Sequence, residues 1–203
     1  MDLFAYRINY NTVTDGINGK VRELYNGNIS ETFWRSATDN ILRKYGYGYD
    51  NQDRLTAAYY QLPNTAIPRA DSYSTAYSYD LNGNLLTLKR NGQIDDPTFM
   101  VAIDDLLYTY DNGNKLKAVR DYQVHPAGYN DRHTSANVDD FEYDTFGNMV
   151  KNRDKDITDI VYNHLCLPPL PHNCIGWSPK PKDPKRYFIK NEYISNKNIK
   201  LLE

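Results

Sequence analysis

One nine-residue unit is written four times in this chain, and a unit copied at near-fixed spacing constrains the fold more than composition does. Its clearest copy is Tyr77-Ser78-Tyr79-Asp80-Leu81-Asn82-Gly83-Asn84-Leu85, and the others run from Tyr47 to Leu55, Tyr108 to Leu116 and Phe141 to Met149. In each copy two aromatic residues lie two apart, so they share one face of an incoming strand. An Asp then opens a turn (Asp50, Asp80, Asp111, Asp144), and its carboxylate can accept backbone N–H groups within that turn. Three residues further on stand Asp53, Gly83, Asn114 and Gly147. These are the types that tolerate positive φ, which a type I turn followed by a bulge requires. Leu55, Leu85, Leu116 or Met149 then starts the outgoing strand. The second aromatic residue falls at Tyr49, Tyr79, Tyr110 and Tyr143, giving offsets of 30, 31 and 33. The spacing predicts an all-β chain of consecutive antiparallel hairpins, with an irregular C-terminal tail.

These residues resemble the YD-repeat, or rearrangement-hotspot (Rhs), family, whose unit is approximately Tyr-x-Tyr-Asp-x-x-Gly-Arg-Leu. Arg54-Leu55 keeps the usual ending, and Gly83-Asn84-Leu85 is a common variant of it. Leu24 to Ile29 looks like a degenerate further unit, and Val161-Tyr162-Asn163-His164-Leu165 like the start of another. The resemblance covers roughly residues 20 to 165, and by it residues 1–165 form the repeat region. It implies that the hairpins form a curved or spiralling sheet strip, and that the chain is a non-catalytic structural segment of a bacterial shell or surface protein, secreted or at the cell surface as part of a larger protein. The implied partners are neighbouring repeats of a longer chain or assembly and an enclosed toxin domain. Two alternatives stand beside it: a surface adhesion or carbohydrate-binding module, and a carrier for a variable C-terminal toxin segment.

Composition supports a stacked, wet sheet. Nineteen Tyr stand against six Phe and two Trp, so most large rings carry a hydroxyl that can reach water or a polar partner. The net charge of −2 is uneven, since the tail from Cys166 holds seven Lys or Arg against three Asp or Glu. Residues 1–165 are acidic on balance and are not expected to bind nucleic acid. No apolar run approaches the roughly 18 residues needed to span a bilayer, and the first residues lack the basic start and apolar block of an export signal.

In chain order, Phe4 to Tyr10 alternates as a strand, Asp15 to Gly19 is turn-rich, and Asn28 to Trp34 reads as a second strand. Three connecting stretches (61–72, 91–98 and 122–138) absorb the variation in period. Ile157 to Tyr162 reads as a last strand. Beyond it, residues 166–203 read as a divergent Pro-rich and basic tail: six prolines from Pro168 to Pro184 remove donors and fix φ, and Tyr187 to Glu203 reads as a linker and a weakly ordered or helical end.

Chemistry is sparse. His164, Cys166, His172 and Cys174 form two His-x-Cys pairs, but their spacing is not a usual zinc spacing, so no metal ligand is assigned. The acidic pairs Asp95-Asp96, Asp104-Asp105 and Asp139-Asp140 read as solvated carboxylates, for want of a calcium loop. No nucleophile elbow, phosphate loop or metalloprotease helix is written, and no cofactor or catalytic residue is expected. Shell-forming relatives with a cleaved toxin end in Asp-Pro-x-Gly, whereas Asp96-Pro97 and Asp183-Pro184 here lack the Gly.

Overall fold

Each Tyr-Asp unit closes a hairpin. The computed structural model describes residues 3–96, 98–132, 138–163 and 167. Strands β3 (Arg43–Tyr49) and β4 (Leu55–Gln61) flank the first unit, and β5 (Thr75–Tyr79) and β6 (Leu85–Asn91) the second. β7 (Ala102–Tyr110) and β8 (Leu116–Asp121) flank the third, and β9 (Phe141–Tyr143) and β10 (Met149–Asn152) the fourth. Two strands precede them, β1 (Phe4–Asn9) and β2 (Glu31–Ser36). β1 to β8 form one antiparallel sheet whose spatial order is the chain order, while β9 and β10 make a two-stranded sheet beside it. A 3-10 turn, Arg153–Lys155, is the only helical element among the described residues.

Alternation sorts the side chains. Cross-strand pairs Thr32↔Tyr45, Tyr45↔Tyr60, Tyr47↔Ala58, Tyr77↔Leu88, Leu88↔Leu106 and Tyr108↔Val119 put these residues on one face, the aromatic face. Its interior has two centres. Tyr60, Leu62 and Ala70 are buried with Trp34, Tyr45 and Tyr73 against them. Leu106, Val119 and Phe141 are buried among Leu88, Tyr108, Tyr129 and Tyr143, which joins the small sheet to the large one.

The opposite face of β2 and β3 is covered by the segment around residues 14–21, where Ile17 and Val21 are buried. Gly46 makes that approach possible: a Cβ there would stand 2.7 Å from Val21 Cγ2. Beneath this cover lies an ion pair, Lys44 Nζ to Glu31 at 2.5 Å, with the two side chains 2% and 0% exposed. Thr14 donates from both its N–H and its hydroxyl to the Glu31 carboxylate, and Asn9 Nδ2 donates to Oε2 at 3.0 Å.

Two expectations need correction. Ile157 to Tyr162 is not a strand: after the 3-10 turn, Asp156 adopts φ 55 and turns the chain back. A single bridge, Asn152↔Ile157, then forms before the ladder stops. Residues 24–29 also form no strand, so the degenerate unit keeps a turn (Gly27, φ 92) without a hairpin. The tail from Pro168 and the two His-x-Cys pairs lie outside the described residues.

Candidate functional site

The four turns share one geometry. The Asp N–H donates to the carbonyl four residues on at 2.9 to 3.0 Å, and its carbonyl accepts the N–H three residues on at 3.1 to 3.3 Å. The residues three on have φ 61 (Asp53), 92 (Gly83), 62 (Asn114) and 89 (Gly147). Oδ1 of Asp50, Asp80, Asp111 and Asp144 accepts the N–H four residues on at 2.8 to 3.0 Å. These bonds favour the carboxylate over the acid. The Asn84 and Asn148 side-chain amides hold Asp80 and Asp144 below the usual range, and the Lys115 N–H does the same for Asp111. The turn aspartates are thus occupied as acceptors of the turn's own N–H groups.

Each turn is preceded by a register shift at the second Tyr, so that Tyr49 pairs with Leu55, Tyr79 with Leu85, Tyr110 with Leu116 and Tyr143 with Met149. The extra residue stands on the outgoing strand (Thr56, Leu86, Lys117 and Val150), a β-bulge facing the tyrosine. Its hydroxyl crosses to the preceding hairpin and donates to the carbonyl of that unit's closing residue. Tyr79 reaches Leu55 O at 2.8 Å, Tyr110 reaches Leu85 O at 2.9 Å and Tyr143 reaches Leu116 O at 2.9 Å. The series extends past the four full units, with Tyr49 on Ile29 O at 2.9 Å and Tyr162 on Met149 O at 2.8 Å. Between hairpins the β4–β5 ladder has only two pairs, Ala57↔Ala76 and Ala58↔Thr75, and it opens toward the turns. The hydroxyl satisfies the carbonyl that the opened ladder abandons. We call this contact a clasp. The first aromatic residue of the unit does otherwise: Tyr47 shares a 3.0 Å hydrogen bond with Thr32 Oγ1, and Tyr77 and Tyr108 pack on the aromatic face.

Burial raises the pKa of Tyr49, Tyr79, Tyr110 and Tyr143, and pushes Tyr45 up to about 12. The folded state therefore favours the neutral phenol relative to the unfolded chain, whose tyrosines ionise near pH 10. That stabilisation is complete below about pH 10 and is lost as pH rises toward 12. We expect thermal melts to fall steeply over this interval, with phenolate absorbance appearing together with unfolding. Ionisation near pH 10 with no change in melting would contradict the assignment.

A cleft of about 840 Å³ opens on the aromatic face beside the third unit. Tyr77, Leu88 and Leu106 supply its sheet wall, and the strap of residues 124–131 the other. Tyr129 pins the strap through its N–H to Asp104 Oδ1 (2.6 Å) and its hydroxyl to Asp154 Oδ2 (2.6 Å). A Cβ at Gly128 would stand 2.6 Å from Asp104 Oδ1, so only glycine allows this seat.

The acidic pairs are not simply solvated. Asp104 is buried and paired with Arg90 Nε at 2.6 Å, Asp140 is buried and paired with Arg120, and Asp95 Oδ1 accepts the Tyr60 hydroxyl at 2.7 Å. The sequence pattern missed them because their partners come from other strands and loops. Among the described residues no group of three or more His, Cys, Asp or Glu is placed to hold a metal ion, and no helix is long and apolar enough to cross a membrane. No protein-family model matches the chain, and no curated protein matches it.

Proposed function

We propose that this chain is a non-catalytic wall segment of the YD-repeat type, built to extend a sheet by whole hairpins and to stand as part of a larger secreted or surface protein. The clasp carries the reading. It recurs five times, always from a Tyr to the closing residue of the unit before it, and it links hairpins that are individually only marginal in water. A catalytic domain has no need of such serial identity, whereas a wall does. The neighbours such a wall would meet are further repeats of the same kind and a toxin domain enclosed behind it.

The β1 edge supports the same reading. Leu3 O accepts the Ala37 N–H across the β1–β2 ladder. The odd-numbered residues of β1 therefore face β2, and the backbone groups of Phe4, Tyr6 and Ile8 point to the open edge. Phe4 and Tyr6 are also 57% and 56% exposed, an unblunted edge of the sort that recruits another strand. We expect the purified chain to self-associate with rising concentration in sedimentation velocity. Tyr6→Pro and Ile8→Pro each remove an edge-facing N–H without touching the β1–β2 ladder, and should shift the distribution toward monomer. A wild-type chain that stays monomeric at its highest attainable concentration would overturn the wall reading.

A further inference from the structure

We propose that the cleft under the 124–131 strap binds a primary alkylammonium group, presented by a free amine or by a lysine side chain. This holds whether or not the chain belongs to a longer wall.

Three carboxylates line the cleft beside the basic side chains Arg90, His125 and Lys155, and two of the three carboxylates are engaged. Asp104 is held by Arg90 and by the Tyr129 N–H. Asp131 accepts the Asp121 N–H at 3.3 Å and has Arg120 Nη1 at 3.8 Å. Asp121 differs. It is 6% exposed, and its Oδ1 takes the N–H groups of Asp105 (3.1 Å) and Gln123 (2.9 Å), yet its Oδ2 is buried with no hydrogen-bond partner among the described residues. No Lys, Arg or His among the described residues forms an ion pair with it. A buried anionic oxygen without a donor is costly, and an entering charged N–H group removes that cost.

The geometry selects among cations. A guanidinium prefers both oxygens of a carboxylate, and Asp121 has only one to give, so a single-point donor fits better. A hard metal ion needs several converging oxygens, and the described residues assemble no such set. Leu88, Leu106 and the Tyr77 ring suit the methylene stem behind an ammonium. At the rim, Val124 is 74% exposed at φ 51, a costly conformation for a β-branched residue. Oδ2 itself is screened from water, so the ammonium reaches it with a local adjustment of the cleft wall.

The test titrates the full chain with n-butylammonium and with n-butanol, its neutral counterpart, by NMR chemical shift. Butylammonium should bind saturably and butanol roughly 10- to 100-fold more weakly, the worth of one hydrogen bond to a charged group. Asp121→Asn keeps an oxygen for the Asp105 and Gln123 N–H groups while removing the charge. It should weaken butylammonium by the same factor with melting no lower than wild type, since the variant relieves a costly buried charge. Equal affinity for butanol, equal affinity in Asp121→Asn, or no saturable amine binding would each overturn the proposal. If the variant fails to fold, the contrast between the two ligands on the wild-type chain decides alone. Comparing cadaverine with Nα-acetyl-lysine amide separates the sources. Tighter binding of the first points to a free amine, and equal or tighter binding of the second to a peptide side chain.

Discussion

Replacing Lys44 with Met should destabilise the protein by about 3 to 5 kcal/mol, because it leaves the Glu31 carboxylate buried without its cation. Glu31 is fully buried, and its remaining partners, Thr14, Asn9 and the Asp15 N–H, are neutral donors that cannot balance a charge away from water. Hydrogen bonds from them and from Lys44 hold the Glu31 pKa below its usual value, even though burial, the largest single influence on it, pushes the other way. Losing the ammonium reverses that balance, and the folded state would then take up a proton. The double replacement Glu31→Leu with Lys44→Met should recover most of the loss, since two apolar side chains of similar volume suit the space beneath Ile17 and Val21. Urea titrations of both variants check this. A single variant within about 1 kcal/mol of wild type would mean that water reaches the pair.

Removing four clasps together is the second large effect. Tyr49, Tyr79, Tyr110 and Tyr143 changed to Phe should cost about 1 kcal/mol each, the net worth of one hydrogen bond, plus a part of the penalty for a stranded carbonyl. Successive clasps are separated by a hairpin of two strands, or about 10 Å, so the costs should sum to at least about 4 kcal/mol. For a domain of this size that lowers the melting temperature by roughly 10 °C. Tyr77→Phe with Tyr108→Phe is the control, because those hydroxyls hold no carbonyl of a preceding unit, and should change stability little. Hydrogen exchange adds a test of mechanism. The four-fold variant should lose cooperativity between hairpins before it loses protection within them. A uniform loss of protection would instead assign the clasp to general packing.

The hairpins were legible in the residues because their signals are local. Asp80, Gly83 and Asn84 stand within one five-residue turn, and both the carboxylate's bonds and the positive φ arise within that span. The clasp was not legible, since the Tyr79 hydroxyl meets Leu55, 24 residues away, only because the short β4–β5 ladder leaves that carbonyl without a strand partner. The same limit hid the Glu31–Lys44 pair. Alternation set Glu31 beside Phe33 on one face, but the segment that covers that face belongs to a distant loop. It also explains the strand expected at Ile157 to Tyr162. Its alternating residues look strand-like, but pairing is a property of the neighbour, and the neighbour offers a single bridge.

The clasp has a genealogical consequence. Every hydroxyl looks back one unit and finds a backbone carbonyl, an acceptor that any residue supplies. A block of chain cut from one Tyr to the next can therefore be copied or excised while each surviving joint still closes, whatever side chains the block carries. Lineages bearing this device should differ in length by whole hairpins, and their variation should collect in the loops on the margin away from the turns.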